Sequence, residues 1–108
     1  MTLDDLNMRS MEMIVAAGEA RTALNRALDC IDDVEKYDEL MEEARKAITR
    51  SHTAQTKVLQ DTATDPSFYP NILFTHAQDT LMTVMSEINT GRQIGKVYRK
   101  VLEKINEK

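Results

Sequence analysis

A chain of 108 residues, 42% apolar and 30% charged with a net charge of −4, fits one domain with a modest core. Basic and acidic side chains alternate along it, which excludes a nucleic-acid-binding patch, and a single cysteine, Cys30, excludes an intrachain disulfide framework. The acidic start Met1-Thr2-Leu3-Asp4-Asp5 is unlike a signal peptide and no apolar run reaches membrane-spanning length, so a cytoplasmic protein is expected.

Helix formers dominate and no alternating strand pattern competes with them. Three helices are predicted, over 3–30, 34–62 and 70–106, folding as a single all-α domain across 1–108. Short loops imply an antiparallel up-down three-helix bundle. Thr2 with Asp5 offers a capping-box start to the first helix. Leu3, Leu6, Met13, Ala17, Leu24, Leu28 and Ile31 recur at helical spacing as its apolar stripe. Gly18, set among Ala16, Ala17 and Ala20, costs about 1 kcal/mol against alanine in a helix interior, which close approach of another backbone would offset. Cys30, near the helix end, reads as a small buried or half-buried hydrophobe.

Asp32 and Glu35 form an acidic start for the second helix. Tyr37, Leu40, Met41, Ala44, Ile48, Val58 and Leu59 make its apolar face. Ser51 and Gln55 interrupt that face with polar groups, and Gln55 therefore belongs in a polar pocket, at a wet interface or at the stripe's edge. Thr62 to Pro70, with two prolines and several turn formers, is the clearest break, and Pro70 suits the first turn of the third helix.

At about 100° per residue, Leu73, Ala77, Leu81, Val84 and Ile88 fill the core from the third helix. His76, Asp79, Thr80, Thr83, Glu87 and Thr90 lie on a different arc, so His76 is expected at the surface or against another subunit. Beyond Gly91 the apolar residues Ile94, Val97, Tyr98, Val101 and Ile105 follow the His76 face instead. Either the helix bends near Gly91 and Gly95, or this strip packs on a partner chain.

His76 and Asp79 stand three residues apart on one helical face. By spacing alone the pair is compatible with a nucleophile beside an ion site, a metal-binding pair, or two solvated polar residues. A neutral imidazole is a nucleophile near neutral pH. His52, on the second helix, has no metal-ligand spacing to another His or Cys in that helix and reads as a surface or interface histidine.

His76-Ala77-Gln78-Asp79-Thr80-Leu81-Met82-Thr83 resembles the HAQDHLMT signature of the lactose/cellobiose-type IIA proteins of the bacterial phosphoenolpyruvate-dependent sugar phosphotransferase system. Ala17-Gly18-Glu19-Ala20-Arg21-Thr22 resembles that family's AGDARS, and His52-Thr53-Ala54-Gln55-Thr56 its AHxxQT, in the same order along the chain. The resemblance implies a phosphocarrier, a phosphotransferase component with a phosphohistidine intermediate. His76 would accept a phosphoryl group from the phosphocarrier protein HPr and pass it to the cysteine of a cognate IIB component, with the membrane component IIC met only indirectly and no nucleic acid among the partners. It also implies a homotrimer around the third helices, with Asp79 holding one structural Mg²⁺ per trimer. Gln78, Gln55 and Thr83 are the candidate donors to the phosphoryl oxygens. The sequence departs from the family twice. Thr80 replaces the second motif histidine, and Ser86-Glu87-Ile88-Asn89-Thr90-Gly91 stands where family members read close to LLKDLA, making the axial contacts polar. A non-catalytic helical interaction or regulatory module is the second reading, and a helical metal-binding protein using His76, Asp79 and His52 is the third.

Overall fold

The computed structural model describes every residue except Pro66, Phe68 and Lys108. Its helices are α1 (Leu3–Asp29), α2 (Val34–Thr64) and α3 (Ile72–Asn106), with no strand among the described residues. They run up, down and up in a rod of 65 × 18 × 18 Å. Pro66 and Phe68, both within the sequence break between α2 and α3, lie outside the described residues.

Each helix starts where a side chain takes up an orphan backbone donor. At α1 the capping box forms as the sequence implies: Thr2 Oγ1 accepts from the Asp5 N–H at 3.1 Å and Asp5 Oδ2 from the Thr2 N–H at 3.0 Å. These bonds hold the Asp5 carboxyl below its ordinary pKa. At α2 the cap is Asp33, accepting from the Lys36 N–H at 3.2 Å, not Asp32. At α3 the cap is Asn71, accepting from the Phe74 N–H at 2.9 Å. Pro70 therefore stands just before the helix, not in its first turn as the sequence suggests, because Asn71 supplies the cap one residue later.

The core is rich in alanine, which lets the helices approach closely: Ala17, Ala20, Ala44 and Ala77 are fully buried between larger Leu6, Met13, Val58, Leu81 and Val84. Phe74, rather than Leu73, fills the lower core from α3, and Leu73 is half-buried. The buried series Phe74, Ala77, Leu81, Val84 and Ile88 steps by three and four, the spacing of a single helix face. Leu3 and Leu59, expected in the apolar stripes, are exposed near the ends of α1 and α2. Ser51 is fully buried and donates to the Met13 carbonyl at 2.8 Å, so the break in the α2 stripe becomes a bond to α1. Gln55 is half-buried, at the edge of its stripe, and Cys30 is a half-buried free thiol.

The glycines reverse their expected roles. Gly18 is exposed, and a Cβ built there would meet nothing within 4 Å, so no backbone packs against it. Gly91 and Gly95 are where close approach occurs. A Cβ on Gly91 would lie 2.5 Å from Leu24 Cδ1, and one on Gly95 would fall on the Tyr37 ring and hydroxyl. Tyr37 reaches from α2 into this cleft and donates to the Gly91 carbonyl at 3.0 Å. The Arg99 guanidinium sits 5.6 Å from the centre of the Tyr37 ring and donates to Asp38 at 2.6 Å. α3 runs unbroken through both glycines, and the strip beyond stays on the surface, with Ile94, Val97, Val101 and Ile105 all about half exposed.

Candidate functional site

Two contacts fix how α3 lies against its parallel neighbour α1. Near the base, the Asn71 side-chain amide donates to Asn7 Oδ1 at 2.8 Å. Higher up, Arg21 donates from Nε and Nη2 to the two carboxylate oxygens of Glu87 at 2.8 and 3.2 Å. This fork raises the Arg21 pKa. His76 and Glu87 are close to three full turns apart and so share the flank of α3 that turns toward α1.

His76 is exposed on that flank, as the angular reading implies. Among the described residues no hydrogen bond holds its imidazole, which leaves the ring accessible. Its backbone carbonyl accepts from the Thr80 hydroxyl at 2.9 Å. The residue in place of the second motif histidine thus turns its donor onto the helix itself. Asp79 is exposed and lies opposite the core, two residues beyond fully buried Ala77. Thr83 is exposed on the His76 side, about two turns farther along.

The other candidate donors are elsewhere. Gln78, half-buried, is about 200° around α3 from His76, on the flank away from α1. Gln55 belongs to α2 and is half-buried there. Within one chain the α3 flank bearing His76 therefore carries Thr80 and Thr83 but neither glutamine. His52 is exposed on α2, with its carbonyl accepting from Thr56 at 3.0 Å. Among the described residues no cluster of three or more His, Cys, Asp or Glu side chains is placed to hold a metal ion, so His76, Asp79 and His52 do not form one within a single chain. The sequence signals Arg21 only as part of a motif. Its partner Glu87 is 66 residues away, and no local spacing connects them.

Residues 8–99 match the family described as "PTS system, Lactose/Cellobiose specific IIA subunit". The chain is 33% identical over 104 residues to the "PTS system lactose-specific EIIA component" of Lacticaseibacillus casei, covering 94% of this chain and 93% of that protein. It is 32% identical over 102 residues to the component of the same name from Staphylococcus epidermidis, covering 93% and 98%. Two crystal structures have the same fold. "PtcA from S. mutans" gives a TM-score of 0.85 at 28% identity, covering 92% of this chain and 99% of that one. The "PTS Cellobiose Specific Enzyme IIA from Bacillus anthracis" gives 0.83 at 27% identity, covering 96% and 95%. Among the described residues no helix is long and apolar enough to cross a membrane.

Proposed function

The chain belongs to the lactose/cellobiose-specific IIA family of the phosphotransferase system, and from that premise we propose that His76 is its phosphoryl-carrying residue. The observation that carries this reading is the exposed, unrestrained imidazole of His76 within the family's motif segment. A phosphorylated donor histidine, that of HPr, approaches in line with the His76 ring. The donor's P–N bond breaks as the P–N bond to His76 forms; the His76 ring gives up its N–H proton and the departing donor imidazole takes one up, so both rings end neutral. In the second half-reaction a thiolate of the IIB component attacks the same phosphorus. The P–S bond forms, the P–N bond to His76 breaks, and the leaving ring takes up a proton, which restores the neutral imidazole. Little covalent assistance is needed, since positioning and neutralisation of the phosphoryl oxygens supply most of the rate. Both encounters take place in the cytoplasm and must end quickly, which suits a modest, partly polar contact.

Thr83 is the next hydroxyl along that flank and our candidate donor to the phosphoryl oxygens, since that of Thr80 is engaged. Gln78 and Gln55, turned to the other flank, would reach His76 only from a neighbouring copy, which favours an assembled carrier. The half-exposed strip Ile94–Ile105 gives such an assembly an apolar contact, and we take it to be a homotrimer around α3. Asp79 fits a hard cation in that arrangement: one exposed carboxylate per chain, opposite the core, brought together in threes by the symmetry. Bound Mg²⁺ would offset the mutual repulsion of the carboxylates and hold the trimer, with no part in the transfer.

The test is intact-protein mass spectrometry after incubation with phosphoenolpyruvate, enzyme I and HPr. One acid-labile phosphoryl group is expected on the native chain and none on His76→Ala. An unmodified native chain beside fully charged HPr would overturn the carrier role and leave a helical interaction module.

A further inference from the structure

The His52 ring makes no hydrogen bond among the described residues, but the fold gives it a definite place. Asp38, Arg45, His52 and Leu59 recur about every two turns and form one exposed row along α2. The row borders α3, since Asp38 at its head is bonded to Arg99. Its level follows from the antiparallel register of the two helices. Tyr37 meets Gly91 and Gly95, and Met41 lies against Gly91. Each step along α2 is one step back along α3, which sets His52 level with about residues 76–80. His76 is at that level but on the opposite flank, toward α1. One chain therefore keeps the two imidazoles apart. Three chains gathered around α3 do not. Asp79 faces the axis in that arrangement, and His76 is turned about 60° from Asp79 toward its own α1. By the symmetry, the α1 side of one α3 looks across at the α2 side of the next. The next copy's row then walls the groove in which His76 stands, with His52 near the height of the ring.

We propose that His52 of a neighbouring copy holds the phosphoryl oxygens of phosphorylated His76. The proposal rests on the carrier reading of His76 and on assembly around α3. A phosphoryl group on the ring spreads its charge over its terminal oxygens and needs donors there. The flank of α3 that bears His76 supplies few. The Thr80 hydroxyl is taken by the His76 carbonyl and the Arg21 guanidinium by Glu87. An imidazole N–H from across the groove meets that need with a charge-assisted hydrogen bond, one of the stronger kinds. Gln55, one turn along α2 from His52, belongs to the same wall. His52 itself makes and breaks no covalent bond. It steadies the oxygens while the P–N bond to His76 forms, and again while that bond breaks.

The experiment uses two chains with different affinity tags, one His52→Ala and the other His76→Ala. They are produced separately and together, and assemblies holding both are isolated on both tags. Phosphorylation is followed with phosphorylated HPr and with the small donor phosphoramidate. In assemblies of His52→Ala alone, the rate from both donors should fall at least about tenfold, with sedimentation unchanged. In the mixed assemblies about half or more of the His76 residues should react at the native rate, because a His76→Ala chain supplies the missing His52 across the contact. His52→Ala assemblies that react at the native rate overturn the proposal alone. Mixed assemblies no faster than His52→Ala overturn it too, by confining His52 to its own chain. Recovery of no species carrying both tags overturns the threefold assembly, and the proposal with it. A native chain that accepts phosphoryl from neither donor overturns the carrier reading itself.

Discussion

Tyr37 and Asp5 show how single side chains tie this fold to pH. Asp5 is held ionised by its capping bonds, so its folded pKa is depressed. Its contribution is present above the unfolded carboxylate value and is lost as pH falls through the folded one. Tyr37 works in the other direction. Burial raises its phenol pKa, so its contribution is complete below the unfolded tyrosine value and is lost as pH climbs toward the folded one. Thermal melts across pH should therefore weaken at both extremes. Asp5→Asn should flatten the acid limb and Tyr37→Phe the alkaline limb. The capping box was legible from Thr2 and Asp5 because it is local. The bond from Tyr37 to Gly91 spans 54 residues and had no signature beyond a tyrosine in an apolar stripe. His76 was legible as a surface residue from its angle on the helix, but its chemistry came from the resemblance of the surrounding octet, not from spacing.

At the level of helices, the two kinds of glycine predict opposite outcomes. Gly18→Ala places a methyl in open space and removes backbone freedom from the unfolded chain. It should stabilise the monomeric fold by about 0.5–1 kcal/mol. Gly95→Ala gains the same propensity but drives a methyl into the Tyr37 ring. Overpacking of this sort costs about 1–3 kcal/mol, so the net effect should be destabilising. Urea unfolding of the two variants measures both signs. Sequence reading attached close packing to the wrong glycine. Helix-interior glycines look alike in one dimension, and only the up-down-up path shows that the Tyr37 side chain of α2 meets α3 at Gly91 and Gly95. The same limit explains Phe74 and Leu73: adjacent apolar residues compete for one core direction, and a shift of one position is within the tolerance of a 3.6-residue period.

For the molecule as a whole, the polar stretch Ser86–Thr90 and the apolar strip Ile94–Ile105 divide α3 between two kinds of surface. If three copies gather around this helix, association should depend on the strip and on neutralising Asp79. Adding Mg²⁺ should then raise the melting temperature and the sedimentation coefficient, chelation should reverse both, and Asp79→Asn should abolish the metal dependence while keeping or strengthening assembly. Loss of assembly in Asp79→Asn regardless of metal would show the carboxylate to be a direct contact instead. The bundle itself was readable from composition, periodicity and the Thr62–Pro70 break. The relation of His76 to the rest of the surface was not, because it depends on the register of α1 against α3, set by Asn7–Asn71 and Arg21–Glu87 across more than sixty residues.

The cleft at Gly91 and Gly95 also makes the protein its own optical probe. The chain has no tryptophan and only three tyrosines. Tyr69 is 80% exposed, whereas Tyr37 is 6% exposed and fixed between two helices under an arginine. Near-ultraviolet circular dichroism should therefore be dominated by Tyr37, with a smaller share from half-buried Tyr98. The intensity of that band reports whether the upper half of α3 is seated on α2, separately from the helix content read in the far ultraviolet, and requires no label.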